Sequence, residues 1–185
     1  SATGNSGSVT VNQSGTLSVT GPDATGIMAQ SQGGQSEQGA TVNINGSVAG
    51  GSNTGKGVWI LSGRDNVVNV NAGGSLSALS STALTFNGDS TTAAGSFLTI
   101  NDYGTISGNV YCGNGDSTNA CNYYVQSGGV ANAATAYQAN VINSGLVVIG
   151  SPGQFQTLTP RTVRQNGVAL TSSSGIFHMQ PSTNP

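Results

Sequence analysis

The chain has 185 residues, which suits one domain, but it carries only four basic and six acidic residues and a formal net charge of −2. An average soluble domain has roughly a quarter of its residues charged. Without clustered Lys and Arg we expect no binding to nucleic acid and no anchoring on anionic lipid. No apolar run approaches the roughly 20 residues that span a bilayer, so we expect no membrane insertion by this segment. Regularly spaced Val, Ile and Leu indicate an ordered, polar, β-rich protein rather than a disordered one.

A short β-forming unit recurs along the first 150 residues. It consists of two apolar residues that alternate with polar ones, an Asn, a turn that contains Gly, and a further apolar residue. One copy reads Val42-Asn43-Ile44-Asn45-Gly46, and in the last copy the alternation is shifted by one residue. The Asn residues that mark the five copies are Asn12, Asn45, Asn71, Asn101 and Asn143. A second apolar unit follows the first at residues 26–29, 57–61 and 83–86.

Such a period is typical of solenoids, because one repeat cannot bury its apolar face alone. We therefore predict an all-β, right-handed parallel β-helix of five to six rungs over residues 1–150. The five marker Asn residues are expected to form a structural ladder, each amide bonding the next. The neighbouring Gly is expected to permit a positive φ at the corner. The alternatives are an antiparallel β-sandwich and a β-roll.

Motifs that carry chemistry are incomplete in this chain. Residues 50–57 nearly match a phosphate-binding loop, but Gly57 follows Lys56 where Ser or Thr is needed, and a strand-like segment follows. Trp59 and Phe86 are predicted to belong to the core, the alternative for Trp59 being an outward platform on which a sugar stacks. We predict no catalytic, cofactor-binding or metal-ligating residues, and no enzymatic activity.

Two cysteines, Cys112 and Cys121, match no four-ligand zinc pattern, because the chain has one His. The simplest interpretation is a local disulfide and an oxidising compartment, with two free thiols as the alternative. The flanking residues Tyr111, Asp116, Tyr123 and Tyr124 are a candidate binding loop for a glycan or protein. Alternatively, the tyrosines fill strand positions and the bridge only closes an insertion.

The segment 151–185 departs from the repeat and contains four of the five prolines. Asn166-Gly167 lies between Val163 and Val168, a pattern that predicts a hairpin turn. We therefore predict a C-terminal β-hairpin cap over residues 151–185, since an open strand edge at the end of a solenoid invites aggregation.

The stretches 21–34 and 40–46, the low charge and the cysteine-closed loop resemble the passenger domains of bacterial autotransporters (type V secretion), of the pertactin-like, adhesin type. The resemblance covers residues 8 to about 150. It implies a bacterial cell-surface or extracellular location and adhesion, to itself or to a host or surface protein or glycan. It also implies that the cap helps the passenger to fold.

Two further functions stay open from the sequence. One is a structural stalk within a larger surface protein. The other is a carbohydrate-active or esterase enzyme on a β-helix. Some autotransporter esterases carry a Gly-Asp-Ser-Leu motif, which Gly88-Asp89-Ser90 and Gly115-Asp116-Ser117 approach, but both are followed by Thr. His178 is the only His that could act as the base.

Overall fold

The computed structural model describes residues 6–32, 38–88, 96–113, 120–132, 136–137, 139–148 and 162–165. All regular secondary structure in these ranges is β, and every strand pairing is parallel. The predicted all-β parallel solenoid is confirmed. Its right-handed winding and the domain boundary at residue 150 stay predictions.

The strands form three sheets. In stacking order, the first has seven strands: β1 (Val9–Gln13), β4 (Ala40–Ile44), β7 (Asp65–Val70), β10 (Phe97–Asp102), β13 (Ala120–Val125), β16 (Ala139–Asn143) and β18 (Thr162–Gln165). The second has six: β2 (Thr16–Ser18), β5 (Ser47–Gly50), β8 (Ser75–Ala78), β11 (Thr105–Ser107), β14 (Val130–Asn132) and β17 (Leu146–Val148). The third has five: β3 (Thr25–Ser31), β6 (Lys56–Ser62), β9 (Thr82–Asn87), β12 (Asn109–Cys112) and β15 (Ala136–Tyr137).

The chain passes through the three sheets in the same order each time and then starts the next layer. We call each set of three strands a coil, so that coil 1 is β1–β3 and coil 5 is β13–β15. Strands β16 and β17 continue the stack on the first and second sheets. Strand β18 lies within the predicted cap and pairs in parallel with β16. The predicted hairpin turn at Asn166-Gly167 lies outside the described residues.

The core fills the inside of the stack, because alternate side chains of each strand point inward. In the first sheet, Val42, Val68, Ile100 and Tyr123 stand level on successive strands, and none is more than 1 % exposed. Phe86 on β9 is fully buried, which confirms its predicted place in the core. Burying one such side chain stabilises the fold by roughly 1.5–3 kcal/mol.

Glycines at the corner between the first and second sheets allow successive coils to approach closely. A Cβ on Gly46 would overlap the carbonyl oxygen of Gly15 in the coil below, and one on Gly104 would overlap that of Gly74. Gly15 itself has a φ of 77°, a region that favours glycine. The corner glycine therefore serves two needs, positive φ at some coils and close backbone contact at others.

Candidate binding faces

Face 1 is the outward side of the first sheet, and a ladder of amides runs along it. The Asn43 Nδ2 donates to Asn12 Oδ1 at 2.8 Å, Asn69 donates to Asn43 at 2.8 Å, and Asn101 donates to Asn69 at 2.9 Å. All three bonds run in the same direction along the stack. The ladder thus links coils 1 to 4 on the outer surface and holds these side chains in fixed orientations.

This ladder differs from the predicted set of Asn residues. Asn12 and Asn101 belong to it. Asn45 and Asn71 instead form a separate pair, in which Asn71 Nδ2 donates to Asn45 Oδ1 at 2.8 Å, two residues after Asn43 and Asn69 in the chain. Asn143 is buried, and its Oδ1 accepts from the Gly145 N–H at 3.0 Å. The prediction that these five Asn residues form one ladder is therefore wrong, because they do not occupy equivalent positions on their strands.

The inward apolar residues explain the register. Val11 stands level with Val42, and Val42 with Val68. The next residue of each strand is then Asn12, Asn43 or Asn69, so these three align. The sequence-based alignment instead matched the Asn that follows the last apolar residue of each unit, which equates Val11 with Ile44 rather than with Val42. The inward positions of the strands, rather than the place of the Asn after the last apolar residue, therefore set which residues pair.

Face 2, the outward side of the second sheet, carries only small side chains in coils 1 to 4. The Ser75 hydroxyl donates to the Ser47 hydroxyl at 3.1 Å. The outward residues of these four strands are Thr16, Ser18, Ser47, Ala49, Ser75, Ser77, Thr105 and Ser107. This face is flat, uncharged and rich in hydroxyl groups.

Face 3, the outward side of the third sheet, carries the single Trp of the chain. Met28, Trp59, Thr85 and Tyr111 stand level on β3, β6, β9 and β12. Met28 is 58 % exposed. Trp59 is partly exposed between the buried Val58 and Ile60, so the prediction that it belongs to the core is wrong. The alternative, an outward Trp59, is what the structure shows.

The indole of Trp59 is held by two contacts. Its Nε1–H donates to Asn87 Oδ1 at 2.6 Å. The Lys56 Nζ lies 4.7 Å from the ring centroid, a cation–π distance, and donates to the Thr54 carbonyl oxygen at 2.8 Å. The sequence did contain a signal for this orientation. Trp59 occupies the same place in its repeat as Thr85, a polar residue between two apolar ones.

The cysteines form the predicted disulfide, with a Cα–Cα distance of 5.7 Å. Both side chains are buried, and the bridge joins the end of β12 to the start of β13. The loop that it closes includes Asp116, which lies outside the described residues.

The tyrosines of the predicted binding loop do not converge. Tyr123 is 1 % exposed and points into the core. Tyr124 therefore points outward on face 1, and Tyr111 lies on face 3. The reason is strand alternation, which places neighbours such as Tyr123 and Tyr124 on opposite sides of one sheet.

A buried carboxyl, Asp102, was missed by the sequence analysis. It is fully buried at the end of β10, where Gly104 N–H donates to its Oδ1 at 3.1 Å and Tyr123 Oη donates to its Oδ2 at 3.3 Å. Burial raises the pKa of Asp102 to about 7, although these hydrogen bonds oppose the shift. The alternation Leu98, Ile100, Asp102 could have indicated the inward position.

The corner beside face 3 holds an acid and a base. Asp23 Oδ1 accepts from Thr54 Oγ1 at 2.6 Å, from Thr54 N–H at 3.0 Å and from Asn53 Nδ2 at 2.7 Å. These bonds, chiefly that of the Thr54 hydroxyl, lower the pKa of Asp23, and the charge of Lys56 lowers it further. The ammonium of Lys56 therefore has an ionised carboxylate nearby.

Within the described ranges, no three His, Cys, Asp or Glu side chains lie close enough together to hold a metal ion. The same ranges contain no helix long and apolar enough to cross a membrane. Asp89, Ser90, Ser117 and His178, which were considered for esterase chemistry, lie outside them. Comparison with protein-family models, curated proteins and solved structures finds no match to this chain.

Proposed function

We propose that this chain is a passenger segment of a type V secretion protein, located on the bacterial cell surface or outside the cell, where it acts as an adhesin. The observation that carries the proposal is the scarcity of charge on the solenoid. Among the strand residues whose side chains the structure describes, only Lys56, Asp65 and the buried Asp102 are charged.

Flat, uncharged faces suit attachment to other surfaces. Two copies of this chain can approach side by side without repulsion between like charges. Rows of hydroxyl and amide groups on faces 1 and 2 then offer many weak hydrogen bonds, each worth about 0.5–1.5 kcal/mol. The disulfide fits an oxidising environment outside the cytosol.

Display of the chain on a non-adherent bacterium tests this function. We expect the displaying cells to aggregate or to attach to host-cell and glycan-coated surfaces. Variants with two lysines on one face, such as Thr41→Lys with Thr99→Lys on face 1, should identify the contacting face. Ala72→Lys, at an exposed corner, is the matched control and should leave attachment unchanged. Equal surface expression without aggregation or attachment would contradict the proposal.

A structural stalk is the second candidate, and the regularity of the stack favours it. Phe97 stands level with Asp65 on the next coil, so deletion of residues 65–96 removes one coil and rejoins the chain in register. A stalk should keep the attachment of the full-length protein after this deletion. An adhesin that binds through its sides should lose part of it.

A further inference from the structure

We propose that face 3 binds a neutral glycan, with sugar rings stacked against Trp59 and Tyr111. This inference rests on the proposed role in attachment and names the ligand and its site. The two aromatic residues stand in one column with Met28 and Thr85. A sugar ring has an apolar face of C–H groups and a rim of hydroxyl groups, which matches an aromatic surface with polar neighbours.

Trp59 is fixed in position before any ligand arrives. The bond from its Nε1 to Asn87 and the Lys56 ammonium over its ring hold the indole in the orientation described above. A ligand therefore does not have to order this side chain, which lowers the entropic cost of binding. Because both contacts come from face 3 itself, the platform is a property of the fold.

Polar side chains lie on the neighbouring column of face 3. Gln30 stands level with Leu61, and Leu61 with Asn87, two residues beyond the aromatic column. The amides of Gln30 and Asn87 can hydrogen-bond to hydroxyl groups, while Leu61 contributes an apolar surface between them. The face thus alternates apolar area with amides, as binding sites for amphipathic small ligands do.

The size of the patch formed by the aromatic column and the column beside it favours a sugar chain over a second protein. Four strands about 4.8 Å apart and two columns about 7 Å apart give a patch on the order of 150 Å². A stable protein interface buries about 800 Å² on each partner. A single glycan chain is narrow enough to cover one column of side chains, whereas a protein would need a much wider surface.

The charge of face 3 favours a neutral sugar over an acidic one. Lys56 is the only charged residue among the described side chains of β3, β6, β9 and β12. Its ammonium already bonds the Thr54 carbonyl, and Asp23 lies close by. A carboxylate on the ligand would lose water without gaining an unopposed positive partner.

Trp59 is the single Trp of the chain, so its fluorescence reports on face 3 alone. The test is a titration of the purified protein with neutral hexasaccharides of glucose, N-acetylglucosamine and mannose, and with an acidic oligogalacturonate. We expect at least one neutral sugar to shift the emission saturably and the acidic sugar to leave it unchanged. Calorimetry with the same sugar should show Trp59→Leu and Tyr111→Leu binding at least about tenfold more weakly.

Tyr124→Leu, on face 1, is the matched control and should bind the sugar like the unchanged chain. Thermal unfolding followed by circular dichroism establishes that each variant is folded. The inference is overturned if none of the three neutral sugars shifts the emission, or if the face 3 variants bind as tightly as the control. Cells that still attach in the display experiment would then leave the adhesin function standing without this site. Preference for the acidic sugar would also overturn it.

Discussion

Coils 2 and 3 differ from coils 4 and 5 at the same inward positions of the first sheet. In coils 2 and 3 the last inward residue of the strand is Ile44 or Val70, both fully buried and aliphatic. Coil 4 has the carboxyl of Asp102 at this position, and coil 5 has the large Tyr123 one inward position earlier. The only described disulfide also joins coils 4 and 5. The comparison shows that the last two inward positions of a first-sheet strand can hold a carboxyl group or an aromatic ring instead of an aliphatic side chain.

Buried polar side chains at the end of a first-sheet strand share one feature: each accepts a hydrogen bond from a backbone N–H at the corner between the first and second sheets. The Gln13 side-chain oxygen accepts from Gly46 N–H at 3.3 Å, and Asp102 and Asn143 accept from the N–H groups of Gly104 and Gly145. Each of these polar side chains occupies the position of Ile44 and Val70 on another strand. A polar group can be buried there because the corner satisfies its hydrogen bond.

The largest expected effect comes from opening the apolar core in coil 3. We expect Phe86→Ala in coil 3 to lower the free energy of unfolding by about 3–5 kcal/mol, since it removes a fully buried ring and leaves a cavity. Thr85→Ala, on the outward side of the same strand, should change it by less than about 0.5 kcal/mol. Urea unfolding measures both, and equal losses would show that β9 is not packed as described.

These inner positions were the part of the molecule that the sequence predicted best. Val42, Ile44, Val68 and Ile100 alternate with polar residues at a solenoid period, and that pattern requires a stacked core. The alignment of each coil with the next was less predictable. The Asn after the apolar residues, such as Asn45, stands out in the sequence, whereas the register follows from which residues point inward. The candidate site was least predictable. Adjacent tyrosines in sequence fall on different sides of the stack, and only the fold shows that Trp59 and Tyr111 share a face.

Asp102 gives the second prediction, which concerns pH. The unfolded chain releases this proton near pH 3.8, whereas the folded chain keeps it up to about pH 7. Between these values the folded state binds more protons, so the free energy of unfolding falls as pH rises. At 1.36 kcal/mol per pKa unit, the fall attributable to Asp102 is at most about 4 kcal/mol by pH 8.

Asp102→Asn should remove this part of the pH dependence, because the amide oxygen can still accept from Gly104 N–H and carries no charge. Asp65→Asn, at an exposed position on β7, is the matched control and should leave the fall in place. Urea unfolding at intervals from pH 4 to pH 8 measures the slopes. If the Asp102→Asn variant had the same slope as the unchanged chain, Asp102 would not be buried as described.

The disulfide is expected to have an intermediate effect. Replacing Cys112 and Cys121 together by Ala should lower the free energy of unfolding by about 2–3 kcal/mol, because the bridge closes a short loop and restricts the unfolded chain. Hydrogen exchange should speed up mainly in β12 and β13, in coils 4 and 5, and less in β4 and β7. A uniform increase across all coils would indicate that the bridge stabilises the whole stack rather than its own end.

The Asn ladder, which lies on the outer surface of coils 1 to 4, should have the smallest effect. Asn69 in coil 3 both donates to Asn43 and accepts from Asn101, so Asn69→Ala removes two bonds and should cost about 1 kcal/mol. Asn12→Ala, at the end of the ladder, removes the single bond from Asn43 and should cost about half as much. Both residues face outward, so neither change opens a cavity. If the two losses are equal in urea unfolding, the ladder contributes nothing beyond strand propensity, and the inward residues alone hold the coils in register.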